Sequence, residues 1–314
     1  MRVEEELWSG RVDSHDDPAS FRYHQVVELT KLDEITNRES FFAFIGFESD
    51  EGVRRNKGRQ GASKAPNHIR EYLAKLPYHL NTSLIDVGNV TCQGSALEEA
   101  QSALGDQVAK LLDKQGIPII LGGGHETLYG HYLGARQHMG PNQSLGIINI
   151  DAHFDMREDP EPSSGTMFRQ ILEQDKEAGY LCLGIQRFGN TKALFDTAER
   201  LGCEYVFEED LAQNNFETTF QIIDEFSQRY DSIILTLCTD SIIASSAPGV
   251  SAPSPTGIEP KTVKKLLHNI SKKKNLLSFD ISEVNPTLDE NERTVRLASY
   301  LVAEVMAGMD SRKG

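Results

Sequence analysis

Residues 145–150 (LGIINI) run directly into residues 151–155 (DAHFD), and this junction decides the fold. The first segment is almost continuously apolar, which is typical of a strand buried on both faces of a sheet. The second segment carries two carboxylates and an imidazole. Because ligands bind beyond the carboxyl ends of strands in an open parallel sheet, the junction predicts a buried strand that leads into a functional loop.

Other segments repeat this alternation of apolar strand and amphipathic helix. Further apolar runs predict strands at 41–46, 117–121, 180–185, 232–237 and 276–281. Amphipathic stretches predict helices at 96–114, 191–201, 216–229, 260–270 and 293–309. The alternation indicates an α/β fold in which helices cover a mainly parallel sheet. We expect one domain over residues 1–314, with residues 1–38 as an N-terminal extension.

The composition limits the classes of partner. The chain has 314 residues and a formal net charge of −15, which disfavours nucleic acid as a partner. No apolar run approaches the roughly 18 residues of a membrane span, and the charged N-terminus does not resemble a signal peptide. The four cysteines show no C-x-x-C pair or disulfide-like spacing. We therefore expect a cytoplasmic protein with reduced thiols and no membrane partner.

Possible metal ligands follow three of the predicted strands. Asp151, His153 and Asp155 alternate, so in an extended segment their side chains would point to the same side. Two carboxylates and an imidazole suit Mn²⁺, Zn²⁺ or Fe²⁺. His125 follows a triple glycine, and Asp240 follows another strand. Each residue alone is also explained by a turn or a helix N-terminus, but their coincidence at the ends of strands in one sheet favours a metal site.

Four motifs in a fixed order resemble those of the ureohydrolase family of arginases, agmatinases and formimidoylglutamases. They are GGGH at 122–125, DAHFD at 151–155, TDSI at 239–242 and EVNP at 283–286. The resemblance extends over about residues 40–305. It implies a three-layer α/β/α arginase-like fold, two divalent metal ions, most simply Mn²⁺, at the strand ends, and a homo-oligomer.

The resemblance also implies the metal ligands, residue by residue. His125 and Asp155 match ligands of one ion. His153 and Asp240 match ligands of the other ion, and Asp151 matches a bridge between the two.

Cys238 departs from the family pattern, which usually has an aspartate at this position. A thiolate can ligate or bridge metals, although it is softer than a carboxylate and shifts the preference from Mn²⁺ towards Zn²⁺ or Fe²⁺. Alternatively, Cys238 is a small buried residue beside a weaker metal site. We favour ligation by Cys238.

The mechanism implied by the resemblance is attack by a hydroxide that bridges the two metals. Glu283 matches the residue that pairs with the amidine cation of the substrate and fixes its carbon in place. Asp155 is the candidate for passing a proton to the departing amine.

The substrate that the resemblance implies is N-formimidoyl-L-glutamate. Phe168 stands where arginases have a proton-handling histidine, and the loops at 50–61 and 247–253 resemble those of formimidoylglutamases. A substrate with two carboxylates requires guanidinium groups, and the candidates are Arg59, Arg157 and Arg169. The expected products are L-glutamate and formamide, in histidine degradation.

Two other interpretations remain open. An agmatinase or guanidinobutyrase would need a pocket without carboxylate-binding cations. If Cys238 abolishes metal binding, the chain is a pseudoenzyme that acts as a scaffold or binding protein. A nucleotide-binding protein is disfavoured, because the triple glycine lacks the G-x-G-x-x-G spacing and the lysine of a P-loop.

Overall fold

The computed structural model describes residues 5–36, 39–212 and 216–313. Within these ranges one sheet contains nine strands, and all of its neighbouring strands are parallel. The strands are β1 (Glu28–Leu29), β2 (Phe41–Glu48), β3 (Leu84–Thr91), β4 (Gly116–Leu121), β5 (Leu145–Ile150), β6 (Ala178–Ile185), β7 (Glu204–Phe207), β8 (Ser232–Cys238) and β9 (Leu276–Ser282). Their order across the sheet is β1-β3-β2-β4-β9-β8-β5-β6-β7.

Helices connect the strands. The α-helices are α1 (Tyr23–Val26), α2 (Glu51–Arg55), α3 (Ala65–Leu73), α4 (Leu97–Asp113), α5 (Thr127–Met139), α6 (Met167–Gln174), α7 (Lys192–Arg200), α8 (Glu208–Ala212), α9 (Phe216–Gln228), α10 (Pro260–Ser271) and α11 (Arg293–Asp310). Short 3₁₀ turns span Glu5–Leu7, Pro18–Ser20, Leu32–Glu34, Ala62–Lys64, Thr239–Ser241 and Ser311–Lys313. In the described part of the chain, no helix has both the length and the apolar character that crossing a bilayer requires.

The sheet separates two layers of helices. Along β5, Ile148 and Ile150 join the core that α10 and α11 form on one face, whereas Leu145 and Ile147 join the core with α5 and α6 on the other. Successive strand residues point to opposite faces, so a strand covered on both faces is apolar at nearly every position. The predicted three-layer α/β/α fold, with its parallel sheet, is confirmed.

All of the predicted strands and helices are present. The six predicted strands correspond to β2, β4, β5, β6, β8 and β9, and the five predicted helices to α4, α7, α9, α10 and α11. The sequence patterns do not predict β3, because Asp86 and Asn89 interrupt its apolar run. Asp86 is nevertheless fully buried, since Arg70 of α3 donates to both of its carboxylate oxygens, at 2.8 and 2.9 Å. A long-range ion pair thus makes a polar strand compatible with the core.

The described part of the predicted N-terminal extension packs on the sheet. β1 pairs in parallel with β3, and the Trp8 indole donates to Asp86 at 2.8 Å. The Trp8 ring also stacks on Phe44 of β2, with 5.7 Å between the ring centroids. Residues 1–4, 37 and 38 of this predicted extension lie outside the described residues.

Candidate metal centre

Four central strands end at the same level of the sheet. Leu121 of β4 pairs with Ile281 of β9, Ile281 pairs with Leu237 of β8, and Leu237 pairs with Ile150 of β5. The residues that follow these strands therefore meet at one edge, although they are far apart in sequence. This register brings together the motifs that the sequence indicates as metal-binding.

One group of potential ligands surrounds His125. Its Nδ1 lies 3.0 Å from Asp151 Oδ2 and 2.9 Å from Asp155 Oδ2. One donor atom each from His125, Asp151 and Cys238 lies within 4.8 Å of the other two. All three of these side chains are buried.

A second group shares Asp151 with the first. The Nδ1 atom of His153 lies 3.6 Å from Asp151 Oδ1 and 3.5 Å from Asp240 Oδ2. Donor atoms of Asp151, His153 and Asp240 also lie within 4.8 Å of one another. Asp151 therefore directs one oxygen to each group, which is the arrangement that a bridging carboxylate requires. The structure brings together all six predicted metal ligands.

The loop after β4 is built from glycines because the backbone passes close to its neighbours. A Cβ atom on Gly123 would lie 1.8 Å from the carbonyl oxygen of Ser49, and one on Gly124 would lie 2.1 Å from Glu126 Oε2. Side chains at these positions would displace the loop that carries His125.

Two residues of the site have left-handed backbone conformations. The φ angles of Asp155 and Glu283 are 51° and 66°. Non-glycine residues rarely adopt this region, and strained backbone of this kind is concentrated at functional sites. The conformation directs the Asp155 carboxylate to His125, and it allows Glu283 Oε1 to accept a hydrogen bond from the His125 backbone N–H at 3.0 Å.

The electrostatic environment of the cluster favours positively charged ligands. Burial raises the pKa of Asp155 to about 6, and the neighbouring Asp151 charge adds to this effect. Burial likewise raises the pKa of Glu283 well above its usual range, with further contributions from Asp240 and Glu126. Burial also opposes ionisation of Asp151, but hydrogen bonds from His125 and His153 lower its pKa. A buried cluster with more carboxylates than imidazoles fits divalent cations, which would balance its negative charge.

Cys238 lies inside this cluster. Its thiol donates to Asp240 Oδ1 at 2.9 Å, and its side chain is 2% exposed. Burial raises the pKa of the thiol well above its usual range, and the Asp151 and Asp240 carboxylates contribute. A divalent cation at this position would reverse this effect, because a coordinating thiol loses its proton.

A cavity opens over the cluster. Glu283 and Arg157 line it, together with five of the six predicted ligands: His125, His153, Asp155, Cys238 and Asp240. The Arg157 guanidinium is exposed and has no ion-pair or hydrogen-bond partner within residues 5–36, 39–212 and 216–313. Arg157 is therefore available to bind an anionic group beside the metal ligands.

The other two predicted arginines have partners elsewhere. Arg169 is paired with Glu158 at 2.8 Å and with Glu173 at 3.0 Å. The Arg59 guanidinium donates to the backbone carbonyls of Val250 and Ser251. Arg59 thus holds the loop that borders the cavity, and neither arginine is among the residues that line it.

The sequence motifs do not include the residues that support the predicted ligands. Asn149 Nδ2 donates to Asp151 Oδ2 at 3.2 Å, and Thr236 Oγ1 contacts His125 Nε2 at 3.1 Å. Each stands two residues before a predicted ligand, so strand alternation could have placed both on the ligand side. Phe168 packs its ring against the edge of His125, with 5.9 Å between the ring centroids.

Fold and site together define an α/β/α protein with a candidate metal centre at the carboxyl ends of its parallel strands. Residues 41–308 match the profile of the arginase family. The chain is 53% identical over 314 residues to the formimidoylglutamase of Geobacillus sp. (strain WCH70), covering 99% of this chain and 97% of the relative. The chain therefore belongs to the arginase family, and the family resemblance of the sequence motifs is confirmed.

Solved structures agree with this assignment. The formimidoylglutamase of Bacillus subtilis subsp. subtilis str. 168 has the same fold, with a TM-score of 0.85 at 23% identity, over 95% of this chain and 94% of that one. The Trypanosoma cruzi formiminoglutamase, a structure with Mn²⁺, superposes with a TM-score of 0.79 at 25% identity. That superposition covers 90% of this chain and 99% of the other.

Proposed function

We propose that this chain hydrolyses N-formimidoyl-L-glutamate to L-glutamate and formamide with two divalent metal ions, most simply Mn²⁺. The observation that carries the proposal is Arg157, which lines the cavity over the two groups of ligands and whose guanidinium has no partner among the described residues. The 53% identity to a formimidoylglutamase over almost the whole chain supports the choice of substrate. The Mn²⁺ in the Trypanosoma cruzi structure supports the choice of metal.

The proposed ligands follow from the two groups described above. His125 and Asp155 would hold one ion, His153 and Asp240 the other, and Asp151 would bridge them, with Cys238 as the sixth ligand. When bound, two divalent cations lower the pKa of water and hold it for attack on an electrophilic carbon. The negative charge of the cluster and its burial suit this role.

Glu283 is placed to orient the substrate. Its side chain lines the cavity, and the His125 backbone N–H fixes one carboxylate oxygen at 3.0 Å. A carboxylate binds an amidine group strongly, because the two N–H donors of the amidine match its two oxygens. The formimidoyl carbon would then be held above the metal ligands, which lowers the entropic cost of the reaction.

Asp155 is placed to handle the proton of the leaving amine. Its side chain lines the cavity beside His125, whose Nδ1 atom lies 2.9 Å from Asp155 Oδ2. A carboxylate held there can accept a proton from the attacking water and pass it to the amine as the C–N bond breaks. The amine that leaves is the amino group of glutamate, and the carbon fragment leaves as formamide.

A substrate panel tests the proposal. With Mn²⁺ present, kcat/KM should be at least about a hundredfold higher for N-formimidoyl-L-glutamate than for arginine, agmatine or guanidinobutyrate. The reason is that agmatine has no carboxylate for Arg157, and arginine and guanidinobutyrate each have only one, whereas N-formimidoyl-L-glutamate has two. Comparable values for arginine would refute the choice of substrate, and absence of both turnover and bound metal would indicate a pseudoenzyme.

Arg157→Ala should impair substrate binding. We expect KM to rise about 10- to 100-fold, which corresponds to the loss of a charge-assisted contact of about 1.5–3 kcal/mol. The value of kcat should change less, because the contact is present in both ground state and transition state. Steady-state kinetics of the variant measure both constants.

Arg169→Ala is the matched comparison, because the sequence predicts both arginines as substrate contacts. The guanidinium of Arg169 is held by Glu158 and Glu173, so its removal should leave KM near the wild-type value. A larger rise in KM for Arg169→Ala than for Arg157→Ala would reverse this assignment.

Cys238→Ser should weaken metal binding at least about tenfold if the thiolate is a ligand. A hydroxyl is a poor anionic ligand, whereas Cys238→Asp restores a carboxylate and should retain or increase the preference for Mn²⁺. Metal titration of chelator-treated protein measures both effects. Cys182→Ser is the control, because that thiol is also buried but contacts the backbone carbonyls of Asp151 and His153.

A buried cysteine that is not a ligand gives the opposite pattern. In that case Cys238→Ser would bind metal as the wild type does, and Cys238→Asp would lower the melting temperature by burying another charge. A cytoplasmic location, a homo-oligomer and a single domain over residues 1–314 remain predictions from the sequence.

A further inference from the structure

We propose that Asp280, acting through Thr236, orients the ring of the ligand His125 and directs its Nδ1 atom to the metal. Asp280, Thr236 and His131 form a buried polar chain behind His125, and each is 0% exposed. These are positioning residues, since none of them lines the cavity. The inference rests on the proposed metal site and assigns a role to residues beyond the ligands.

The register of the sheet creates the first contact. Thr236 of β8 pairs with Asp280 of β9, so their side chains project from neighbouring positions on the same face. The Thr236 hydroxyl donates to Asp280 Oδ1 at 2.8 Å. The Ser282 hydroxyl donates to the same oxygen at 3.0 Å.

The other carboxylate oxygen is held by His131 of α5. Its Nδ1 lies 2.7 Å from Asp280 Oδ2, and its Nε2 lies 2.6 Å from Ser278 Oγ. Asp280 is therefore surrounded by donors and serves as an acceptor. Because a hydroxyl has one proton, the Thr236 proton is committed to Asp280.

This hydrogen bond to Asp280 determines which role Thr236 can take in its contact with His125. Thr236 Oγ1 lies 3.1 Å from His125 Nε2 and can only accept there, so Nε2 carries a proton. The Nδ1 atom then faces Asp151 and Asp155, at 3.0 and 2.9 Å. Nε2 thus keeps its proton for Thr236, and Nδ1 is the nitrogen that would offer its lone pair to a metal in place of its hydrogen bonds to these carboxylates.

Other contacts hold the His125 ring in place but do not determine which of its two nitrogens faces the metal. Phe168 packs against the His125 ring edge, and the His125 backbone N–H donates to Glu283. Neither contact distinguishes the two ring nitrogens. The Thr236–Asp280 pair makes this distinction, as hydrogen bonds to the second nitrogen of metal-binding histidines generally do.

Thr236→Val tests the inference, because valine keeps the volume and removes the hydroxyl. Titration of chelator-treated protein with Mn²⁺ should show one of the two ions bound about 10- to 100-fold more weakly. The second ion should be less affected, since His153 and Asp240 do not contact Thr236. Thr236→Ser keeps the hydroxyl and should restore wild-type binding, and Asp280→Asn should resemble Thr236→Val.

Thr239→Val is the matched control. Thr239 is also buried just after β8, but its hydroxyl has no hydrogen-bond partner in the described part of the chain. Its substitution should leave Mn²⁺ binding unchanged. The control separates loss of a particular hydroxyl from the general effect of changing a buried threonine near the ligands.

The outcomes are distinct. Unchanged Mn²⁺ affinity in Thr236→Val, with only a shift in melting temperature, would overturn the inference and leave the proposed function intact. Equal weakening in Thr236→Val and Thr236→Ser would also overturn it, because the hydroxyl would not be the cause. Wild-type protein that binds no Mn²⁺ would overturn both the inference and the proposed function.

Discussion

Asp151→Ala should reduce kcat/KM by at least about a thousandfold, at the upper end of the effect of removing one electrostatic contact from a reaction centre. Asp151 Oδ2 lies 3.0 Å from His125 Nδ1, and Asp151 Oδ1 lies 3.6 Å from His153 Nδ1. The substitution therefore removes a ligand from both groups at once. Kinetics with Mn²⁺ and elemental analysis of bound metal should both show the loss.

The variant should still fold, which makes the result interpretable. Removing Asp151 takes a carboxylate from a buried cluster in which burial and the Asp151 charge already raise the pKa of Asp155. Asp151 also accepts hydrogen bonds from the Asn149 amide and the His153 backbone N–H, so we expect the metal-free variant to melt below the metal-free wild type but to unfold cooperatively. Retention of a tenth or more of the wild-type rate would contradict a two-metal site bridged by Asp151.

Asp175→Ala is a suitable control for Asp151→Ala. Asp175 is 13% exposed in its side chain, and it accepts hydrogen bonds from Tyr132 and Arg136 outside the cavity. Loss of these contacts should affect stability, whereas metal content and kcat/KM should remain near the wild type. The pair of variants separates a metal ligand from a structural carboxylate.

Glu283→Gln should reduce kcat/KM by about 100- to 1,000-fold while both metal ions remain bound. Glutamine keeps the size of the side chain and an oxygen for the His125 backbone N–H, but it lacks the negative charge that pairs with the amidine. The effect should therefore fall on the reaction and not on the fold. Kinetic constants and metal content, measured on the same preparation, test both parts.

Glu126→Gln provides the matched control for Glu283→Gln. Glu126 is 0% exposed and lies beside His125, but it does not line the cavity. Its Oε1 accepts from the Ser49 hydroxyl and the Gly52 N–H, contacts that a glutamine oxygen can also make. We expect activity close to that of the wild type. Loss of metal in Glu283→Gln would instead place Glu283 among the ligands, and near-normal activity would exclude the amidine contact.

The choice of substrate depends on which arginine side chain is available to bind a carboxylate, and residue type alone does not determine this. The sequence indicates Arg157 and Arg169 first, because they bracket the loop of predicted metal ligands, and Arg59 next. In the folded chain, two of these guanidinium groups are engaged by Glu158, Glu173 and backbone carbonyls. Arg59 and Arg169 differ from Arg157 because the conformation of the loops places hydrogen-bonding or ion-pairing partners beside their guanidinium groups.

The sequence by itself determined the α/β class and the residues that stand at the strand ends. Strands buried on both faces are apolar throughout, so β5 and its companions are visible as local patterns. His125, Asp151 and Asp240 follow such strands directly or after a short turn. Their positions can be identified from neighbouring residues in the sequence, and their imidazole and carboxylate groups then indicate a metal site.

Only the tertiary structure decided the order of the strands and the partners of buried polar groups. The order places β9 and β8 between β4 and β5, which brings Glu283 beside His125 and pairs Thr236 with Asp280. Likewise, β3 is a strand because Arg70 neutralises Asp86 within the core. These contacts join residues distant in sequence, and their energies depend on burial and register that exist only once the sheet has formed.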